Sequence, residues 1–220
     1  MSEFCKSRII ELLCVPEEKI TVAWEASSSC FFPRTEEEIS RTAARLGVRR
    51  PYFLAIGAVS PRKNFQRLLA AWTRTEQSAE GVSLIVVGKE GLRFSGEASL
   101  GAVPTSVRHL GEVNDEDLAR LYSGAEGLLF PSLYEGFGLP ILEAMASGCP
   151  VLTSNCSAMP EIAGDAAILV DPLSEEAIAD GIDRLAQPRL AAELKARGRH
   201  RYQRFSWART AEITERALLN

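Results

Sequence analysis

The chain contains only two histidines in 220 residues, and its five cysteines (Cys5, Cys14, Cys30, Cys149, Cys156) fall at irregular intervals without a CxxC pair. These shortages leave no ligand set for a structural zinc site and no even disulfide framework, so the cysteines read as reduced thiols of a cytoplasmic protein. No apolar run approaches the length of a bilayer span, and the opening MSEFCKSRII lacks the apolar core of a signal peptide. Positive charge is not in excess either: 25 Lys and Arg stand against 29 Asp and Glu, a net charge of −4. That balance gives no global attraction to nucleic acid, so an anionic ligand has to be held by a local basic cluster. The signatures GxSxG, GxxxxGK[ST] and GxGxxG are all missing, which removes the usual marks of α/β hydrolases, P-loop NTPases and dinucleotide-binding folds. His109 is flanked by strand residues and His200 lies in the basic run KARGRHRYQR, so neither supports a Ser/His/Asp arrangement. There is no internal repeat and no low-complexity tract.

What is present is the composition of an ordinary globular domain, 46% hydrophobic and 25% charged. From about residue 35 onward, short β-rich apolar runs alternate with segments of helical period, the pattern of a parallel sheet covered by helices. The expected strands are 52–57, 82–88, 107–110, 126–130, 150–153 and 167–170, and their near-continuous Leu, Ile and Val imply burial on both faces. Helix starts are legible between them: the capping box Thr35/Glu38, Asn64 before FQRLLAAW, Asn114 before DEDLARLY, Pro140 at a first helical position, and Ser174 before EEAIADGIDRLA. Two amphipathic stretches close the chain, 188–203 and 206–218. Residues 1–32 differ from the rest, with a helix-like FCKSRIIELL, a strand-like KITVAWEA at 19–26 and a serine-rich connector. The fold class is α/β: a Rossmann-like three-layer sandwich with a mostly parallel sheet.

In open parallel sheets the ligand sits beyond the carboxyl ends of the strands, so the strand-to-helix loops are where chemistry is sought. The first, GAVSPRKNFQRLL, puts Arg62 and Lys63 just before a helix capped by Asn64. Two cations beside exposed helix amides suit a phosphate or diphosphate, and taken alone they also suit a solvated basic turn. The second, PSLYEGFGLPILEAMASGCP, carries Gly136 and Gly138, which let amides point at a phosphate, between Glu135 at the strand's end and Glu143 in the first turns of a helix. Carboxylates are acceptors matched to the two donors of a vicinal diol, so the glutamates are natural ligands for a sugar or a ribose. The competing reading leaves Glu143 favouring the helix dipole and Glu135 exposed. The third loop, GKEG at 88–91, either faces ligand or simply turns the chain. The fourth, HLGEVNDEDL, places Gly111 to Val113 at a strand end. Its Asp115-Glu116-Asp117 matches a metal-holding DxD pattern, but acids in the first turn of a helix capped by Asn114 are explained by capping and dipole.

Taken together, five stretches of the chain resemble the nucleotide-sugar-binding domain of family 4 (group 1) retaining glycosyltransferases of the GT-B fold. They are GxxxPRKN at 57–64, VVG at 86–88, HLGEVNDEDLARLYSGA at 109–125, PSLYEGFGLPILEAMASGCPV at 131–151 and MPEIAGDAAILVDP at 159–172. The resemblance implies that Arg62 and Lys63 neutralise a donor diphosphate, aided by amides of Phe137, Gly138 and Leu139. It further implies that Glu135 binds hydroxyls of the transferred hexose, that Glu143 binds the ribose, and that Gly111 to Val113 lie along the base. No metal or other cofactor is expected. Ala58 stands where many members carry arginine, which shifts phosphate binding onto Arg62 and Lys63.

The expected organisation is an N-terminal-domain end and connector at 1–32, the donor domain at 33–205, and at 206–220 a helix that packs on an N-terminal domain. The expected function is transfer of a hexose to a glycan or lipid-linked acceptor, with GDP-mannose as first donor and UDP-glucose, UDP-N-acetylglucosamine or a deoxyhexose donor as alternatives. Partners are then the donor and the acceptor, with self-association through the uncovered surface and a cytoplasmic location peripheral to the inner membrane. A different class of reading is a non-catalytic nucleotide-sugar-binding or scaffold module acting with a separate acceptor domain. A sugar-nucleotide epimerase shares the layout but is disfavoured by the EGFGLPxLEAMA signature.

Overall fold

A computed structural model describes residues 1–57, 60–89 and 103–219. Six strands form one sheet among the described residues: β1 Tyr52–Ile56, β2 Ser83–Val87, β3 Val107–His109, β4 Gly127–Phe130, β5 Val151–Ser154 and β6 Ala167–Val170. Their spatial order is β3-β2-β1-β4-β5-β6 and every pairing is parallel, so the sheet is wholly rather than mostly parallel. The order reverses direction between β1 and β4. This is the topological switch point of a doubly wound sheet, where the loops on either side diverge and leave a crevice.

The apolar runs bury both faces because successive strand side chains point to opposite sides. Leu54, Ile85, Leu128 and Val151 pack on one face, and Phe53, Leu84, Leu129 and Leu152 on the other. The first face is covered by α2 Glu36–Leu46, α5 Asp115–Gly124, α6 Leu139–Ala146 and α7 Met159–Ala163, the second by α3 Phe65–Trp72 and α8 Glu175–Leu185. The remaining helices are α1 Glu3–Leu13, the single turn α4 Glu76–Ala79, α9 Pro188–Tyr202 and α10 Trp207–Leu219. None of the described helices is long and apolar enough to cross a membrane. In α10 no side chain is buried, and Trp207, Leu218 and Leu219 are exposed.

Most helix starts follow from the sequence as read. Thr35 and Glu38 form a reciprocal capping box, Asn114 accepts from the Asp117 N–H at 2.8 Å, and Ser174 accepts from that of Ala177 at 3.0 Å. Asn64 departs from expectation. It precedes α3 in the left-handed conformation with φ 58°, and its side chain makes no capping bond. Instead its amide donates to the carbonyls of Pro131 at 3.0 Å and Pro172 at 2.7 Å, because burial leaves those two oxygens without water. One side chain thereby ties the loops after β1, β4 and β6 together.

The strand expected at 19–26 does not form. Among the described residues no strand pairs with it, and polar groups of Trp24 are taken by side chains: the Thr210 hydroxyl donates to the Trp24 carbonyl, and the Trp24 indole N–H donates to Glu161 at 2.8 Å. Lys19 ends a 3₁₀ turn and the rest of the segment is irregular, with Trp24 against Phe205 at 5.1 Å between ring centroids and Ala26 joining the core. Residues 58, 59 and 90–102, which include Ala58 and the Glu90-Gly91 half of the third loop, lie outside the described residues.

Candidate functional site

The loop after β1 closes into a 3₁₀ turn, Pro61–Lys63, that presents Arg62 and Lys63. The loop after β4 runs beside it: the Leu133 N–H donates to the Arg62 carbonyl at 2.8 Å, and the Arg62 guanidinium donates to the Tyr134 carbonyl at 3.0 Å. These bonds bring together, across the switch point, two cations and a carboxylate that lie seventy residues apart in sequence. Glu135 is 2.5 Å from the Arg62 guanidinium and 2.7 Å from Lys63 Nζ.

The structure corrects both simple readings of these residues. Strand β4 ends at Phe130, which puts Glu135 well into the loop rather than at the strand's end, and its side chain is buried rather than exposed. Lys63 is not a solvated basic residue. Its side chain is 13% exposed, against 48% for Arg62, and its ammonium lies 4.4 Å above the ring of Phe130. Burial holds the Lys63 pKa below its ordinary value, while the Glu135 carboxylate opposes the fall. Gly57 makes room for this side chain. Its φ of +126° suits glycine, and a Cβ there would meet Lys63 Cε at 2.8 Å.

Helix α6 begins at Gly138, whose φ of +103° turns the chain from loop into helix without a side chain in the way. Phe137 is buried, Leu139 opens the helix and Pro140 occupies its first turn, as expected. Among the described residues no acceptor takes the N–H of Phe137, Gly138 or Leu139. Those donors remain for a ligand, with the positive end of the helix dipole behind them.

Glu143 lies on the second turn of α6, and Tyr122 of α5 donates its hydroxyl to it at 3.0 Å. Burial, assisted by the charge of Asp115, pushes Glu143 up to about 6 against the Tyr122 hydrogen bond and the positive charge of Lys63. Gly111 to Val113 form the turn between β3 and α5, with Gly111 at φ +74°, its carbonyl bonded to the Gly88 N–H at 2.9 Å and Val113 packed against the core. Two of the three acids of DEDL are engaged internally: Asp117 is paired with Arg45 and Arg120, and Glu116 with Arg34 and Arg120.

Sequence reasoning missed Tyr122, Phe130 and Ser157. Ser157, at φ 58°, accepts from the Glu135 N–H at 2.9 Å and donates to the Glu135 carbonyl at 2.6 Å, fixing that residue's backbone. Tyr122 had a weak signal, a phenol at a core-facing position of an otherwise apolar helical stripe. Ser157 had none, because only the tertiary fold carries it beside residue 135.

The strand order and the clustering of polar groups at the switch point define a Rossmann-like α/β domain of the doubly wound class. More narrowly, the chain belongs to the family described as "Glycosyl transferases group 1", whose model matches residues 36–201. It is similar to the "O-antigen chain mannosyltransferase B" of Escherichia coli, 37% identical over 213 residues that cover 94% of this chain and 56% of that protein. It is also similar to the "O-antigen chain mannosyltransferase RfbU" of Salmonella typhimurium, 31% identical over 186 residues, 83% of this chain and 48% of that one. The chain thus spans about half the length of the curated relatives it matches. Among solved structures, a sucrose-phosphate synthase of Thermosynechococcus elongatus superimposes with a TM-score of 0.79 at 27% identity, covering 98% of this chain and 56% of that one. The Anabaena protein HepE in complex with UDP-glucose superimposes with a TM-score of 0.81 at 20% identity, covering 100% and 62%, which is a likeness of fold.

Proposed function

We propose that this chain is the donor-binding half of a retaining hexosyltransferase, and that its donor is a nucleoside-diphosphate sugar. The observation that carries the reading is the convergence of Arg62, Lys63 and the unaccepted amides of residues 137–139 on one side of the switch point, with Glu135 and Glu143 flanking them. A diphosphate fits donors of that kind, and the two carboxylates fit hydroxyls on either side of it. GDP-mannose is the first candidate donor, since several similar proteins are named mannosyltransferases. In the ligand-free chain the Glu135 carboxylate engages both cations. On donor binding the diphosphate takes over part of that charge, which frees carboxylate lone pairs for the hexose.

In the transfer step the bond from the anomeric carbon to the diphosphate oxygen breaks and its electron pair leaves with the nucleoside diphosphate. The acceptor hydroxyl forms the new glycosidic bond on the same face and passes its proton to the departing phosphate oxygen. Arg62, Lys63 and the helix amides stabilise the charge that develops there, a role open to a divalent metal in other sites. The acceptor, a glycan or lipid-linked sugar, is held by a second domain, with residues 1–32 and α10 contributing to the connection. The setting we assign is the cytoplasmic side of a membrane that bears the growing polysaccharide.

The test is calorimetric titration of the folded chain, without added metal, against GDP, UDP, GDP-mannose and UDP-glucose. Saturable binding of one nucleotide family, tighter when the sugar is attached, is the expected result. Failure of all four with a folded protein overturns the reading and leaves the scaffold module in its place.

A further inference from the structure

The Gly136 carbonyl, in the middle of the candidate donor loop, receives two donors from helix α1. Ser2 is fully buried and donates its hydroxyl to that oxygen at 2.6 Å, and Cys5 Sγ lies 3.1 Å from the same atom. A Cβ on Gly136 would stand 3.2 Å from Cys5 Sγ, so α1 approaches the loop about as closely as a glycine permits. The approach is braced on both sides. Glu161 of α7 accepts the N–H of Glu3 at 3.0 Å and of Phe4 at 3.2 Å, and the Phe4 ring meets Tyr134 edge-on at 5.3 Å. Ser157 grips residue 135 from the other flank.

A trans peptide unit is planar, with its carbonyl and the following N–H pointing in opposite directions. Fixing the Gly136 carbonyl towards α1 therefore turns the Phe137 N–H away from α1, to the side where no described group accepts it. Glycines at 136 and 138 leave this loop many alternative conformations, so something outside the loop has to select one. We propose that Ser2, seconded by Cys5, is a positioning residue for the donor diphosphate: through the Gly136 carbonyl it orients the amides that bind the anion. This inference rests on the reading that those amides hold a nucleoside diphosphate. It gives the lead-in segment a part in donor binding as well as in linkage.

Ser2 also caps α1 by accepting from the Cys5 N–H at 3.2 Å, so the test must separate the cap from the grip on the loop. Glycine is nearly as good as serine at a helix N-cap but has no hydroxyl, and threonine keeps the hydroxyl. GDP and UDP are titrated against the 220-residue chain and its S2G, S2T and C5A variants, and the amide resonance of Phe137 is followed in the ligand-free proteins. In S2G the nucleotide that the unaltered chain binds is expected to bind about tenfold more weakly, the equivalent of one well-placed hydrogen bond. The Phe137 amide resonance should shift while those of β1 and β2 stay as they were, and S2T should restore both the affinity and the Phe137 resonance. Where S2G fails to fold, C5A removes the second donor and leaves the cap intact, with a loss of about threefold and the same local shift of the Phe137 resonance.

Equal nucleotide binding by the unaltered chain and S2G, with the Phe137 amide resonance unmoved, overturns the proposal alone. A folded, unaltered chain that binds neither nucleotide overturns the reading beneath it and the proposal together.

Discussion

At the scale of single residues, the site is a set of charges whose ordinary behaviour has been altered by burial. Glu143 is the clearest case. Its pKa is pushed from 4.5 to about 6, so the folded carboxyl keeps its proton where the unfolded one has lost it. Its contribution to stability is complete below the unfolded value and is lost as pH rises through about 6, a swing of about 2 kcal/mol. Ligand binding should run the other way, because a ribose diol needs the ionised carboxylate as acceptor. Nucleotide affinity is thus expected to rise between pH 5 and 7 as denaturant stability falls; titrations and urea melts across that range check both slopes, and Glu143→Gln should flatten them. Tyr122→Phe removes the one hydrogen bond that lowers this carboxyl, so it should move both midpoints to higher pH. Under the proposed function, Lys63 and Glu135 serve different parts of the donor. Lys63→Ala is expected to weaken GDP and GDP-mannose alike by at least about tenfold, the scale of a charge-assisted hydrogen bond. Glu135→Ala should mainly erase the difference between the two ligands. Equal losses in both variants, measured by calorimetry, would contradict that division. The residue types and spacing of this set were legible in the sequence, whereas their mutual contacts were not: an ion pair between Lys63 and Glu135 depends on two loops that only the sheet brings together.

Elements were read from the sequence with small errors. All six strands appear within about a residue of their expected ends, because runs such as VSLIVV and GLLF bury both faces and tolerate little else. Four of the caps behave as their side chains suggest, Ser206 among them, with its hydroxyl accepting from the Arg209 N–H at 3.2 Å. The two misreadings share a cause. KITVAWEA has the composition of a strand but no edge to join, and Asn64 has the identity of a cap but is held in a left-handed conformation by two buried carbonyls that take its amide N–H groups, so its side-chain oxygen does not reach the helix N–H groups. Asn64→Ala should accordingly cost more than a lost cap. With the oxygens of Pro131 and Pro172 left unpaired in the interior, a loss of about 3 kcal/mol is expected by chemical denaturation. Gly57→Ala belongs to the same scale, since the new Cβ meets Lys63 and the backbone is at φ +126°. Displacement of the Lys63 side chain should reduce nucleotide affinity even where the protein remains folded, which paired titration and thermal melts would separate.

Across the whole molecule, the parallel order β3-β2-β1-β4-β5-β6 gathers loops from distant stretches at one crevice while leaving α10 with no buried side chain. The chain spans about half the length of its curated relatives. It should therefore bind a nucleotide sugar but show little or no transfer to an acceptor by itself, and appreciable turnover of donor and acceptor by the 220-residue chain would contradict the two-domain reading. Binding should also persist in EDTA, because two cations and a helix N-terminus supply the positive charge. The sequence by itself determined the positions and extent of the strands along the chain, most of the helix starts and the membership of the glycosyltransferase family, since each depends on local pattern: hydrophobic period, capping chemistry and short motifs with fixed spacing. The tertiary structure alone decided that Glu135 is buried against Arg62 and Lys63, that Tyr122 serves Glu143, that Asn64 ties three loops together, and that α1 holds the Gly136 carbonyl. Each of those contacts joins segments far apart in the chain, and nothing in local sequence specifies which of the many polar groups a buried donor or acceptor will meet.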